Sequence, residues 1–117
     1  MFAHQAIDTP YYAVIITTES SGDDEGYAAM ARRMAELGAA QPGYLGNASM
    51  SGGEGREVSI FYYRDEESIR SWYRHDEHRE AQKLGRERWY SRYEIEVCRV
   101  ERRYDFMADP HTAEETK

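Results

Sequence analysis

The chain has 117 residues, 40% hydrophobic and 32% charged, with ten tyrosines, a balance that excludes a disordered polymer. Its net charge of −7 argues against a nucleic-acid binder, which needs a sustained basic face. No run approaches the roughly 18 consecutive apolar residues of a membrane span, and the single cysteine, Cys98, excludes an intrachain disulfide and a thiolate metal cluster.

The length suits one domain with a core of its own. The N-terminus has neither the basic nor the apolar region of a signal peptide, so a cytoplasmic protein is expected. Charge is unevenly spread: residues 79–103 carry eight Lys and Arg against five acids, and the stretches on either side are acidic. Residues 1–10, ending at Thr9-Pro10, are expected to form an arm.

YYAVIITT (11–18) is rich in β-branched and aromatic residues and predicts a strand. It is apolar on both alternations, with Tyr12, Val14 and Ile16 on one face and Tyr11, Ala13 and Ile15 on the other, so both faces should be covered. Asp23 or Asp24 is a plausible N-cap for the next element. Tyr27, Met30, Ala31, Met34 and Leu37 then recur at helical spacing until Gln41-Pro42-Gly43 ends the helix. YLGNASM (44–50) and EVSIFYY (57–63) bracket a glycine-rich tip and predict a hairpin. Those glycines lack phosphate-loop spacing and lead into a strand, so they are turn residues.

Asp65-Glu66-Glu67 opens a second helix, continued by Ile69, Trp72 and Tyr73, with Gly85 as a break. SRYEIEVCRVERRY (91–104) predicts a last strand. Its apolar alternation changes phase, which suggests a bulge near Val97 or two halves in different surroundings. Residues 107–117 are expected to be a flexible tail. The order β-α-β-β-α-β predicts an α+β, ferredoxin-like sheet with both helices on one face. The bare face would be apolar and aromatic, too large a patch for a monomer, so a homodimer through that open face is predicted.

Three segments carry a family resemblance: YYAVIITT, then GYAAMARRMAELGAAQPGYLG (26–46), then SIRSWYRHDEHREAQKLGRERWY (68–90). Together they resemble the antibiotic-biosynthesis-monooxygenase family, whose fold is the dimeric α/β barrel, over roughly residues 11–106. The resemblance implies a homodimer with a pocket between each sheet and its helices. Some members oxidise polycyclic phenols with molecular oxygen and no cofactor; others bind heme and open its ring. The heme degraders use an Asn on the first strand, a Trp on the second helix and a His about ten residues later. This chain keeps Trp72 but offers Ile16 or Thr17 for the Asn and Gln82 near the His, which counts against heme.

Cofactor-free oxygenation of a small aromatic or polyketide-like substrate needs a base and donors for the developing oxyanion. His78 and His75 are the candidate bases. Trp72 is placed beside them as a catalytic and substrate-stacking residue; Tyr62 and Trp89 are further substrate contacts, and Arg86 is the candidate for holding an anion. Each has a plainer role available: core for Trp72, solvated helix face for the histidines and Arg86. His75 and His78 share a helix face without an evident third ligand, so no metal is expected, and the cofactor-free chemistry that the resemblance implies calls for no cofactor. A non-catalytic homodimer binding a small aromatic ligand is the alternative.

Overall fold

A computed structural model describes residues 7–108; the predicted arm and tail lie largely outside them. In chain order the elements are β1 (Tyr11–Ser20), α1 (Tyr27–Ala39), β2 (Tyr44–Gly53), β3 (Arg56–Tyr63), α2 (Glu66–Arg74), α3 (Asp76–Leu84), a π-helical turn (Gly85–Trp89) and β4 (Tyr90–Val100). The strands form one sheet in the order β2-β3-β1-β4, each neighbouring pair antiparallel. This is the predicted α+β ferredoxin-like architecture.

Strand alternation decides what meets the helices. Val14 pairs with Phe61 and Tyr12 with Tyr63, so these side chains share one face. On that face Val14, Phe61 and Tyr63 form the core with Leu37 from α1 and with Ile69 and Trp72 from α2. Each side chain buried this way is worth about 1.5–3 kcal/mol. The opposite face carries Tyr11, Ala13 and Ile15 from β1, with Tyr62, Ile60 and Val58 of β3 in register beside them.

The chain around the "QPGYLG" turn shows how α2 is placed. Asp65 caps α2, its carboxylate accepting from the Ser68 N–H at 2.7 Å, as the Asp-Glu-Glu signal predicted. Ser68 Oγ in turn accepts from the Gly43 N–H at 2.9 Å. A Cβ at Gly43 would stand 2.6 Å from that Oγ, so only glycine lets the turn approach the helix start.

The structure corrects three local expectations. The N-cap of α1 is Gly26, at φ 80°, and not Asp23 or Asp24. The left-handed glycine turns the chain into the helix after the acids, which stay in the loop. The helical region after Asp65 breaks at His75, whose extended backbone (ψ 135°) separates α2 from α3, while Gly85 continues helically into the π-turn. In β4 the register runs unbroken from Arg92 to Val100, so there is no bulge at Val97. The irregularity is at Ser91: Glu19 pairs with Arg92 and Ser20 with Tyr90. The extra residue's hydroxyl donates to the carbonyls of Glu19 and Ser20, at 3.3 and 3.4 Å. The phase change instead marks a change of face, since Tyr93 and Ile95 turn toward the helices and Cys98 pairs with Ala13 on the open side.

Candidate functional site

Between the sheet and the helices lies a cavity of about 280 Å³. Its walls follow from alternation along β1 and β3. Ile16 and Thr18, like Val14, point toward the helices, as do Glu57, Ser59 and Phe61. The core ends where these positions turn from large apolar residues to small and polar ones.

One end of the cavity is aromatic. Phe61 lies 4.6 Å from Trp72 between ring centroids, and Trp72 is 1% exposed, with its indole N–H donating to the Met34 carbonyl at 3.2 Å. His78 of α3 stands edge-on to Trp72 at 4.9 Å and to Tyr73 at 4.9 Å. Two residues upstream of His78, α3 begins with the Nδ1 of His75 accepting from the Glu77 N–H at 3.2 Å. Arg33 of α1 grips Glu77 with two hydrogen bonds, of 2.7 and 2.9 Å, and so ties the start of α3 to α1.

His78 is 7% exposed, and its Nδ1 has no hydrogen-bond partner; neither has the buried hydroxyl of Tyr73 beside it. Burial, reinforced by the nearby His75, lowers the His78 pKa to about 4, so the imidazole is neutral at physiological pH. Burial likewise raises the Tyr73 phenol well above its usual range.

The other end is polar. Glu57, Ser59, Ser49, Thr18 and, at the start of β4, Tyr90 line the cavity from the sheet, and Tyr27 lines it from α1. Ser59 donates to the Glu57 carboxylate at 3.4 Å. Burial pushes Tyr90 well above the phenol range, aided by Tyr27 and by the negative charge of Glu57. The π-turn delivers Trp89, whose indole N–H donates to the Glu25 carbonyl at 3.0 Å and whose ring meets Tyr27 edge-on. Such turns recur at functional sites.

The structure thus brings together three of the residues singled out by sequence, Trp72, His78 and Trp89. It places the other three elsewhere. Tyr62 sits on the open face of the sheet, beside Ala13 and edge-on to Tyr11, and does not line the cavity. Its position is even where the cavity-facing residues of β3 are odd. His75 caps α3 outside the cavity. Arg86 is exposed on the π-turn and donates to the Tyr93 hydroxyl at 3.3 Å, touching a residue of the cavity wall without lining it. Ile16 and Gln82, the positions set against heme, are both in the wall. Sequence reasoning missed Glu57. Its signal was available, because a carboxylate sits on the strand alternation that continues through Ser59 to the core aromatics Phe61 and Tyr63. Among the described residues no group of three His, Cys, Asp or Glu is arranged to hold a metal ion, and no helix is long and apolar enough to cross a membrane.

Solved structures share this architecture at low identity. SnoaB, a cofactor-independent oxygenase from Streptomyces nogalater, superimposes with a TM-score of 0.68 at 13% identity, over 81% of this chain and 97% of its own. A dimeric ferredoxin-like protein of unknown function from Thermobifida fusca does so with a TM-score of 0.63 at 12% identity, over 86% and 100%. Likeness at such identity speaks for the fold alone. No protein-family model matches the chain. Sequence similarity does reach one curated protein at 38% identity over 106 residues, 91% of this chain and 93% of the other, and the chain therefore belongs to the family of YqjZ, an uncharacterized protein of Bacillus subtilis (strain 168).

Proposed function

We propose that this chain is a cofactor-independent monooxygenase of the antibiotic-biosynthesis type, acting on a small aromatic or polyketide-like substrate and working as a homodimer paired through the open sheet face. The observation that carries the reading is the neutral, buried imidazole of His78, with an unpartnered Nδ1, held against Trp72 in an aromatic cavity. The likeness of the fold to SnoaB and the resemblance of the three sequence segments support it.

In this mechanism Trp72 and Phe61 hold the substrate rings and the His78 imidazole takes a proton from a phenol or an activated CH₂. The resulting carbanion passes one electron to molecular oxygen, and the radical pair combines into a peroxide. Loss of water leaves the new carbonyl, so that CH₂ and O₂ become C=O and H₂O.

A second reading, a non-catalytic homodimer that binds a small aromatic, is favoured by one feature of the same residue. Burial that pulls His78 down to about 4 also makes it a weak base. Oxygen uptake with anthrone-like substrates, wild type against His78→Gln, tests the choice. Uptake reduced at least about tenfold in the variant supports the oxygenase. Saturable substrate binding with no uptake by the wild type sinks it and leaves the binder.

A further inference from the structure

We propose that Glu57 determines which ligand the cavity accepts: a fused-ring aromatic carrying a protonated amine at the end remote from His78. This rests on the reading of the cavity as an aromatic-binding site and adds the charge of its ligand.

The argument begins with what Glu57 lacks. Among the described residues no arginine or lysine lines the cavity, and Glu57 has no cation partner there; its polar contact is the Ser59 hydroxyl at 3.4 Å. Arg86, the candidate for holding an anion, is exposed and engaged with Tyr93. A second, adjoining cavity shares Thr18, Tyr27, Glu57, Trp89 and Tyr90 with the first and adds Asp23 and Asp24. The one arginine on its wall, Arg56, pairs with Glu19 at 3.3 Å, and Asp23 is engaged by Arg88 at 3.4 Å. Of the acids on these two walls, Glu57 and Asp24 are therefore the ones without an ion pair among the described residues, at the edge of an aromatic cavity.

A partly buried carboxylate facing hydroxyls but no cation favours a ligand that brings the positive charge. The same field repels a carboxylate or phosphate ligand. The surrounding phenols of Tyr27 and Tyr90 add aromatic faces, which also attract ammonium groups. Geometry bounds the ligand's length. Glu57 and Phe61 are four residues apart on one face of β3, so their Cα atoms lie roughly 13 Å apart, and the two side chains lean into the cavity between them. A ligand stacked at Trp72 reaches Glu57 only if it is an extended aromatic with its amine at the far end.

The test uses the chain's own reporters, because both of its tryptophans, Trp72 and Trp89, line the cavity. Quenching of tryptophan fluorescence is titrated with naphthylmethylamine, naphthylmethanol and naphthoate. These share an aromatic body and differ in bearing an ammonium, a neutral hydroxyl or a carboxylate. The expected order is amine, then alcohol, then naphthoate, with steps of about tenfold. Glu57→Gln should bring amine and alcohol within about twofold of each other while leaving the alcohol unchanged, and Glu57→Lys should turn the preference toward naphthoate. Naphthoate binding as tightly as the amine, or an order unchanged in both variants, overturns the assignment of Glu57 while leaving the aromatic cavity standing. Failure of all three probes to quench removes the cavity reading itself, and this inference with it.

Discussion

The His78 ring stands edge-on to Trp72, with centroids 4.9 Å apart and planes inclined by 66°, at the boundary between the hydrophobic core and the cavity. Trp72 belongs to both: it touches Phe61 and Tyr63 on the core side and lines the cavity wall. The geometry keeps the imidazole dry on one side, which is why its charged form is disfavoured.

That burial makes stability depend on pH in a definite direction. The folded His78 titrates near 4 and the unfolded one near 6.5. As pH falls from 7, the unfolded chain takes up the proton first, so stability is lost between about 6.5 and 4 and this group changes nothing further below that. Unfolding in urea at pH 7 and pH 4.5 should show the wild type losing about 2–3 kcal/mol more than His78→Gln. Parallel losses in the two proteins would remove the buried neutral imidazole from the account.

The start of α2 depends on a close approach that admits no side chain. A Cβ at Gly43 would meet Ser68 Oγ at 2.6 Å and the Asp65 carboxylate at 2.7 Å, the two groups that cap and anchor the helix. Gly43→Ala should cost about 1–3 kcal/mol by overpacking and loss of the cap. At Gly52 in the neighbouring hairpin, the nearest atom to an added Cβ is that of Arg56 at 3.4 Å. Gly52→Ala should stay within about 0.5 kcal/mol of the wild type. Equal effects at the two glycines in thermal unfolding would contradict this account of the turn.

The fold was legible because alternation and helical spacing are local signals that the sheet enforces: Val14, Phe61 and Tyr63 on one face, Tyr11, Ile15 and Ile60 on the other. Trp72 was legible because helical spacing turns it to the side where Ile69 packs; His78 was legible only as a candidate base, since the break at His75 puts it on a separate helix. Tyr62 and Glu57 were not, because alternation separates the two faces of β3 without saying which one the helices cover. Tyr62 is even and faces away; Glu57 is odd and faces in. His75 gave no warning either. Its extended backbone breaks a helix that composition alone would continue, and the break gives α3 its own direction.

Heme is disfavoured by the same wall that suits a cationic aromatic. Ile16 and Gln82 stand in the cavity where the heme-degrading pattern calls for Asn and His, and Glu57 brings negative charge toward any propionate. Titration with hemin should give no saturable Soret shift at one heme per chain. A saturable shift, lost in His78→Gln and bleached by reductant in air, would reverse this and make His78 an axial ligand.

The homodimer is tested on the face opposite the cavity. Ile60 lies between Ile15 and Ala48 in register, with Val58, Met50 and Tyr62 around it, and Met50 is 54% exposed. An apolar sheet face of this kind is covered in a stable assembly. Light scattering should give twice the 13.6 kDa chain mass for the wild type. Ile60→Asp places a charge at the centre of the proposed interface without touching the core formed by Val14, Phe61 and Trp72. The variant should keep its far-ultraviolet circular dichroism and run at the mass of a single chain. A wild type already at the single-chain mass would leave the open face unpaired, and a variant still at twice that mass would move the interface to another surface.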